Sequence, residues 1–234
     1  MSTFVFVHGA FQGKWVWKKV TPLLEKNGHK VIAIDLPGSG EDVTPPQEVT
    51  FKCYTDKVTG ILEKIDHPVI LVGHSMSGLV VSQVAEYVPD KIKKLVYVCA
   101  IVPQNGQSLQ DLGGGPKDAT FNEEEKTLTL IDEYIADGFL NECSDEDIIF
   151  AKRKMRPQPV LPFSGKVTLS PENFGRVPRV YIEATKDHAI PIEVQREMYK
   201  QIPFENTFSI DADHSPFFSQ PETLTKYLNE IATL

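Results

Sequence analysis

The apolar run Pro68-Val69-Ile70-Leu71-Val72 ends in Gly73-His74-Ser75-Met76-Ser77-Gly78, and Leu79 to Ala85 follow with helical spacing. Read as Gly-x-Ser-x-Gly with Gly73 and Gly78 as its glycines, this stretch is a strand, a sharp turn and a helix in succession. The turn forces Ser75 into a strained backbone conformation, and the glycines remove side chains that would clash there. The serine hydroxyl then stands exposed at the carboxyl edge of a sheet, beside a helix amino terminus whose dipole favours a developing anion. The alternative is a glycine-rich strand-to-helix turn with an inert serine, and the rest of the chain decides between the two.

The surrounding pattern is that of an α/β chain. Thr3 to Val7 reads as a strand, Lys14 to Asn27 as one helix with Pro22 near its middle and Gly28 closing it, and Val31 to Asp35 as a second strand. Tyr54 to Ile65 shows a helical face of Val58, Ile61, Leu62 and Ile65, and Lys94 to Ala100 is the strand after the Ser75 helix. Continuous apolar strands alternating with helices predict a mostly parallel six-stranded sheet flanked by helices. The rhythm stops at Pro103. Residues 104–176 hold Gly113-Gly114-Gly115, two acidic helical stretches and an exit rich in proline (Pro157, Pro159, Pro162), and are read as an inserted helical cap. Residues 1–103 and 177–234 form the core on this reading. Its last elements are a strand from Pro178 to Ala184, a helix from Ile192 to Gln201 and a strand around Phe208-Ser209-Ile210. A capping box at Ser219-Gln220-Pro221-Glu222 opens the final helix.

The 234 residues suit one domain. A formal net charge of −8 argues against nucleic acid as a partner, because phosphate neutralisation needs a basic surface. The acidity is concentrated: residues 118–147 contain eleven Asp or Glu and a single lysine, Lys126. No charged leader precedes the first strand and no run approaches the ~18 apolar residues of a membrane span. A cytoplasmic protein with no membrane partner is expected. Cys53, Cys99 and Cys143 form no Cys-x-x-Cys pair and read as free, mostly buried thiols. No His/Asp/Glu group has metal-ligand spacing and no Gly-x-Gly-x-x-Gly follows a strand, so neither a metal nor an organic cofactor is expected.

A serine hydroxyl is a poor nucleophile until a base takes its proton, and the base needs an acceptor to orient it. Where a serine sits on such a turn, an acid and then a histidine follow in the chain, each just past the end of a later strand. Asp187 in Ala184-Thr185-Lys186-Asp187-His188 and His214 in Asp211-Ala212-Asp213-His214-Ser215 meet that order. His8, His29, His67 and His74 lie before the serine and His188 sits beside the acid, which leaves His214 in the place of the base. Asp211 and Asp213 are too close to His214 in sequence to face its far ring nitrogen and are read as shaping its loop. An oxyanion also needs two backbone donors. The predicted pair is Met76 N–H, next to the serine, and Ala10 N–H in His8-Gly9-Ala10-Phe11 after the first strand.

Together these residues resemble the α/β-hydrolase superfamily, and within it the group of plant methylesterases, hydroxynitrile lyases and bacterial esterase relatives. The similarity runs through Phe6-Val7-His8-Gly9-Ala10 with Trp15, Gly28 to Val31, Asp35-Leu36, Val72 to Ser75, Arg179 to Ile182, Lys186 to Pro191 and Ala212-Asp213-His214. It is weakest across the cap. The resemblance implies an α/β-hydrolase fold, a triad of Ser75, Asp187 and His214, oxyanion amides of Ala10 and Met76, and a homodimer among the assemblies to test. Lyases of the group carry threonine at the place of Gly9 and, at that of Ser215, a lysine that holds the departing cyanide. With Gly9 and Ser215 here, serine-dependent ester hydrolysis is expected; cyanohydrin cleavage and non-catalytic small-molecule reception are the alternatives. Plant methylesterases often carry histidine where Gln12 stands. The expected substrate is a small, neutral, fairly apolar carboxylic ester, with Gly9, Phe11, Gln12, Met76, Ser215 and Phe217 as candidate pocket walls.

Overall fold

A strand such as Val69–His74 is buried along its whole length, so the fold must cover it on both faces. The computed structural model describes residues 1–113, 115 and 118–234. In it, β1 (Thr3–Val7), α1 (Val20–Lys26), β2 (Lys30–Ile34), α2 (Phe51–Glu63), β3 (Val69–His74), α3 (Ser77–Tyr87) and β4 (Ile92–Val98) alternate along the first part of the chain. An insertion follows, with β5 (Ala119–Asn122), β6 (Thr127–Leu130), α4 (Asp132–Tyr134), a π-helical turn over Ile135–Phe139, α5 (Asp145–Lys154) and β7 (Gln158–Pro159). The alternation resumes with β8 (Arg179–Ala184), α6 (Ile192–Tyr199), β9 (Asn206–Ile210), α7 (Pro216–Ser219) and α8 (Pro221–Thr233).

The main sheet has the order β2-β1-β3-β4-β8-β9, and every neighbouring pair is parallel. Registers Val7↔Gly73, His74↔Val98 and Ala184↔Ile210 bring the carboxyl ends of β1, β3, β4, β8 and β9 to one edge. Strand order reverses between β1 and β3, the place where open α/β sheets leave a crevice. Beneath it Phe6 stacks on Trp17 with centroids 4.4 Å apart, and Trp17 meets Phe217 at 5.1 Å.

Three local expectations are corrected. The helix expected over Lys14–Asn27 is a 3₁₀ turn at Lys14–Lys18 followed by α1. Pro22 therefore lies in the first turn of α1, where its missing N–H costs no hydrogen bond within the helix. The final helix has Gln220 as its N-cap with no side-chain cap, because Ser219 Oγ donates to Asp213 Oδ1 (2.8 Å) and is committed elsewhere. Of the three thiols, only Cys99 is buried; Cys53 and Cys143 are half-buried, and all are free.

The insertion is not purely helical. β5, β6 and β7 form a small antiparallel sheet. Its hairpin turns without glycine: Asn122 Oδ1 accepts from the N–H groups of Glu124 and Glu125, and Lys126 takes φ +54°. Of the triglycine, Gly113 and Gly115 adopt positive φ, and Gly114 lies outside the described residues. The acidity of α5 is arranged along its axis. Ser144 caps it, Asp145, Glu146 and Asp147 fill its first turn, and Lys152, Arg153 and Lys154 its last, each sign at the favourable end of the helix dipole. No helix among the described residues is long and apolar enough to cross a membrane.

Candidate active site

Ser75 holds φ +53°, a left-handed conformation that a serine adopts only where its surroundings impose it. Its N–H donates to Val98 O (3.3 Å), and its carbonyl accepts from Gly78 N (3.1 Å) and Ile101 N (3.0 Å). The two glycines are required by contact. A Cβ on Gly73 would lie 2.8 Å from Ser77 O, and one on Gly78 would lie 1.8 Å from Ile101 O. The spacing differs from the Gly-x-Ser-x-Gly reading, since the fifth position is Ser77 and Gly78 comes one residue later. Ser77 is accommodated because its buried hydroxyl donates to His8 O.

The structure brings Ser75, His214 and Asp187 into one line. His214 Nε2 lies 2.9 Å from Ser75 Oγ, and His214 Nδ1 lies 2.7 Å from Asp187 Oδ2. Asp187 is fixed in turn: Oδ1 accepts from the N–H groups of Ala189 and Ile190, both at 2.8 Å, and Oδ2 accepts from Gln195 Nε2 at 3.2 Å. The register between β8 and β9 explains why two residues so far apart in sequence meet, since Ala184 and Ile210 are partners and each loop leaves from there. Such a line can carry a proton from the serine to the imidazole while the carboxylate stabilises the cation.

Two amides are oriented by the same peptide geometry. In a trans peptide the N–H points opposite to the carbonyl of the same unit. The Ser75 carbonyl is held from behind by Gly78 and Ile101, which aims the Met76 N–H the other way. The Gly9 carbonyl accepts from His8 Nδ1 (2.7 Å), which aims the Ala10 N–H. His8 is neutral in this role: burial pulls its imidazole below the ordinary value, and Nε2 accepts from Leu36 N at 3.0 Å. Neither the Ala10 nor the Met76 amide bonds a backbone acceptor among the described residues. Both border a cavity of about 530 Å³ shared with Ser75 and His214.

An α/β-hydrolase family model, described as "Alpha/beta hydrolase family", matches residues 4–226. The chain belongs to the α/β-hydrolase family. Number 11 of the Arabidopsis thaliana methylesterase series, a chloroplastic protein, is 39% identical over 99% of this chain, which spans 64% of that relative, just under two thirds of its length. Methylesterase 7 of the same plant is 34% identical, with 98% of this chain and 95% of the relative covered. The crystal structure of the Arabidopsis methylesterase MES16 superposes with a TM-score of 0.91 at 29% identity, covering 100% of this chain and 99% of that one.

In this family member residues of the insertion share the cavity wall with those of the sheet edge. Phe11 lines it as expected, beside Met76, and so do Leu109, Leu112, Phe139 and Phe163 from the insertion. Gly9, Gln12, Ser215 and Phe217 do not line the cavity. Gln12 is buried behind the Gly9–Phe11 loop, where Oε1 accepts from Gly9 N (3.1 Å). Phe217 packs on the far face of His74 at 5.0 Å. Ser215 is turned inward, and its N–H donates to Asp213 (3.0 Å). Alternation along a loop does not reveal which face meets the cavity, so these positions were not separable from Phe11 by sequence.

Residues the sequence did not single out lock the site. His74 Nε2 donates to His214 O (2.8 Å), and burial, reinforced by the nearby His214, pulls the His74 imidazole well below the ordinary histidine value. His74, Cys99 and His214 bring one ligand atom each within 4.8 Å of one another. The donor set does not suit a metal. Both nitrogens of His214 are engaged, by Asp187 and Ser75, and burial, then Asp187 and Asp213, push the Cys99 thiol well above its ordinary value, away from thiolate.

Proposed function

We propose that the protein is a serine-dependent carboxylic ester hydrolase that works through an acyl-enzyme. One observation carries the reading: the hydrogen-bonded line Ser75–His214–Asp187 ends on a mostly apolar cavity that two unpaired amides also border. Ser75 Oγ attacks the ester carbonyl as His214 Nε2 takes its proton. The Ala10 and Met76 N–H groups receive the oxyanion, and Asp187 stabilises the imidazolium at Nδ1. His214 then protonates the departing alcohol, and a water activated by the same imidazole releases the acid.

The methylesterase names of the relatives support an ester as substrate. The cavity favours a small neutral one, because no lysine or arginine lines it among the described residues. The same lack of a cation, with Gly9 in place of a hydroxyl-bearing residue, weighs against cyanohydrin cleavage, whose leaving anion needs a partner. A cytoplasmic location and a homodimer belong to the same proposal. The three free thiols support a reducing compartment, and cell fractionation and gel filtration test the two points.

The experiment is hydrolysis of short p-nitrophenyl esters together with covalent labelling by a fluorophosphonate. Ser75→Ala should abolish labelling and lower turnover by about 10⁶-fold with the fold intact. Labelling that persists in Ser75→Ala would exclude this serine, and tight ligand binding without turnover in the wild type would favour the receptor alternative.

A further inference from the structure

Two buried carboxylates flank His214, and only one touches its ring. Asp187 holds Nδ1, whereas Asp213, the residue before the base, is wholly buried and accepts four other hydrogen bonds. Its Oδ1 accepts from the Ser215 N–H (3.0 Å) and the Ser219 hydroxyl (2.8 Å), both just beyond the base. Its Oδ2 accepts from the Glu142 N–H (3.0 Å) and the Cys143 thiol (3.2 Å), both in the cap. The same cap segment grips the loop of the acid. Asn141 Nδ2 donates to Lys186 O (3.1 Å), and Lys186 Nζ pairs with Glu142 (2.9 Å). Just before it, the Phe139 ring stands edge-on to the His214 imidazole, with centroids 5.0 Å apart. Residues 139–143 therefore touch the acid loop, the base loop and the base itself.

We propose that Asp213 is a positioning residue that buckles the cap to the base loop, so that docking of residues 139–143 sets the Ser75–His214–Asp187 geometry. The proposal rests on the esterase reading. The need for an anion is stereochemical. An amide of the same shape has one acceptor oxygen. With that oxygen toward Glu142 and Cys143, its NH₂ group would oppose the Ser215 N–H; reversed, it would oppose the Glu142 N–H. Only a carboxylate accepts on both sides, so the cap and the base loop are joined through one unprotonated group. A buried carboxylate is costly unless its lone pairs are filled, and here the cap supplies half of the donors.

The test is Asp213→Asn, with Cys143→Ala and Cys143→Ser as a milder pair that removes and then restores one donor to Oδ2. Turnover of p-nitrophenyl acetate is expressed per active site titrated with a fluorophosphonate, which separates a misplaced triad from a smaller folded fraction. For Asp213→Asn, kcat per titrated site should fall roughly 10- to 100-fold with KM unchanged, the upper figure being what a displacement of about 1 Å costs. Cys143→Ala should show a smaller fall and Cys143→Ser recovery. The low-field proton resonance of the His214–Asp187 hydrogen bond is followed in parallel and needs no substrate; it should broaden or vanish in Asp213→Asn and persist in Cys143→Ser. Wild-type kcat per site and an unchanged resonance in Asp213→Asn would overturn the proposal. If that variant does not fold, Cys143→Ala indistinguishable from wild type overturns it. Failure of the esterase reading has a different signature: the wild type neither labels nor turns over, and the resonance still decides the role of Asp213.

Discussion

Replacing Asp187 by asparagine changes little in shape, yet the surroundings of the carboxylate dictate which way the amide must face. Oδ1 accepts two backbone N–H groups, from Ala189 and Ile190, both at 2.8 Å. An NH₂ group there would oppose both donors, so the amide oxygen takes that place. The NH₂ group then faces His214 Nδ1 and Gln195 Nε2, which lie 2.7 and 3.2 Å from Oδ2 in the native protein. Nδ1 must now accept, the imidazole proton moves to Nε2, and Nε2–H points at Ser75 Oγ instead of receiving its proton. A wrong tautomer of this kind costs about 10⁴ in kcat, or about 5 kcal/mol of transition-state stabilisation. Stability should fall by only about 1–3 kcal/mol, the cost of one opposed buried donor. The assay is kcat per titrated site on p-nitrophenyl acetate, with thermal unfolding as the control for the fold. An Asp187→Asn enzyme within about tenfold of wild type would refute this account of the tautomer.

A Cβ at residue 9 would lie 2.8 Å from His74 Nδ1 and 2.9 Å from Ser75 Cβ. Gly9→Thr should therefore press on the nucleophile, cut ester hydrolysis by about tenfold or more and release no cyanide from mandelonitrile; full esterase activity in this variant would contradict the close contact. Glu183 gives a test by pH. Burial acts to raise its carboxyl, but hydrogen bonds from Arg196, Ser209 and Tyr199 outweigh it and hold the group below the ordinary glutamate value. Its contribution to stability is then full above about pH 4.3 and is lost as pH falls through the folded-state value. Glu183→Gln should lower the urea midpoint at neutral pH and flatten its decline in acid, and parallel pH curves for the two proteins would refute this.

What the sequence made legible is what short segments determine. The parallel core could be read because β1 and β3 are apolar along almost their whole length, and Ser75, Asp187 and His214 could be placed because Ser75 directly follows β3 while the other two lie in the short loops after β8 and β9. The elbow was legible despite its spacing, since the need at Gly78 is set by the Ile101 carbonyl and not by a pattern of letters. The cap was harder. Its hairpin turns through an asparagine side chain and a left-handed lysine, so none of the usual glycine turn signals marks it. Pocket residues failed for a related reason: Gln12 and Phe11 are adjacent, yet Phe11 takes φ +66° and faces the cavity while Gln12 turns behind it. Asp213 shapes its loop by accepting from the Ser215 N–H and the Ser219 hydroxyl, but its partners Glu142 and Cys143 lie about 70 residues away, and only tertiary structure brings them together.

The bond from Ile101 N–H to the Ser75 carbonyl has a consequence for protein engineering. The chain leaving β4 fastens to the serine peptide before the insertion begins, so residues 104–176 can be treated as an exchangeable cassette whose entry point is already fixed. What a replacement cap must reproduce is a short specification and not a sequence. It needs an acceptor for the Phe11 N–H, now Gln158 Oε1 at 2.9 Å, and two donors for Asp213. Grafts that keep those three contacts should inherit the Ser75–His214–Asp187 line, whatever ligand their walls admit, whereas a junction placed before Ile101 would detach the chain from the serine and disturb the Met76 amide of the same peptide unit.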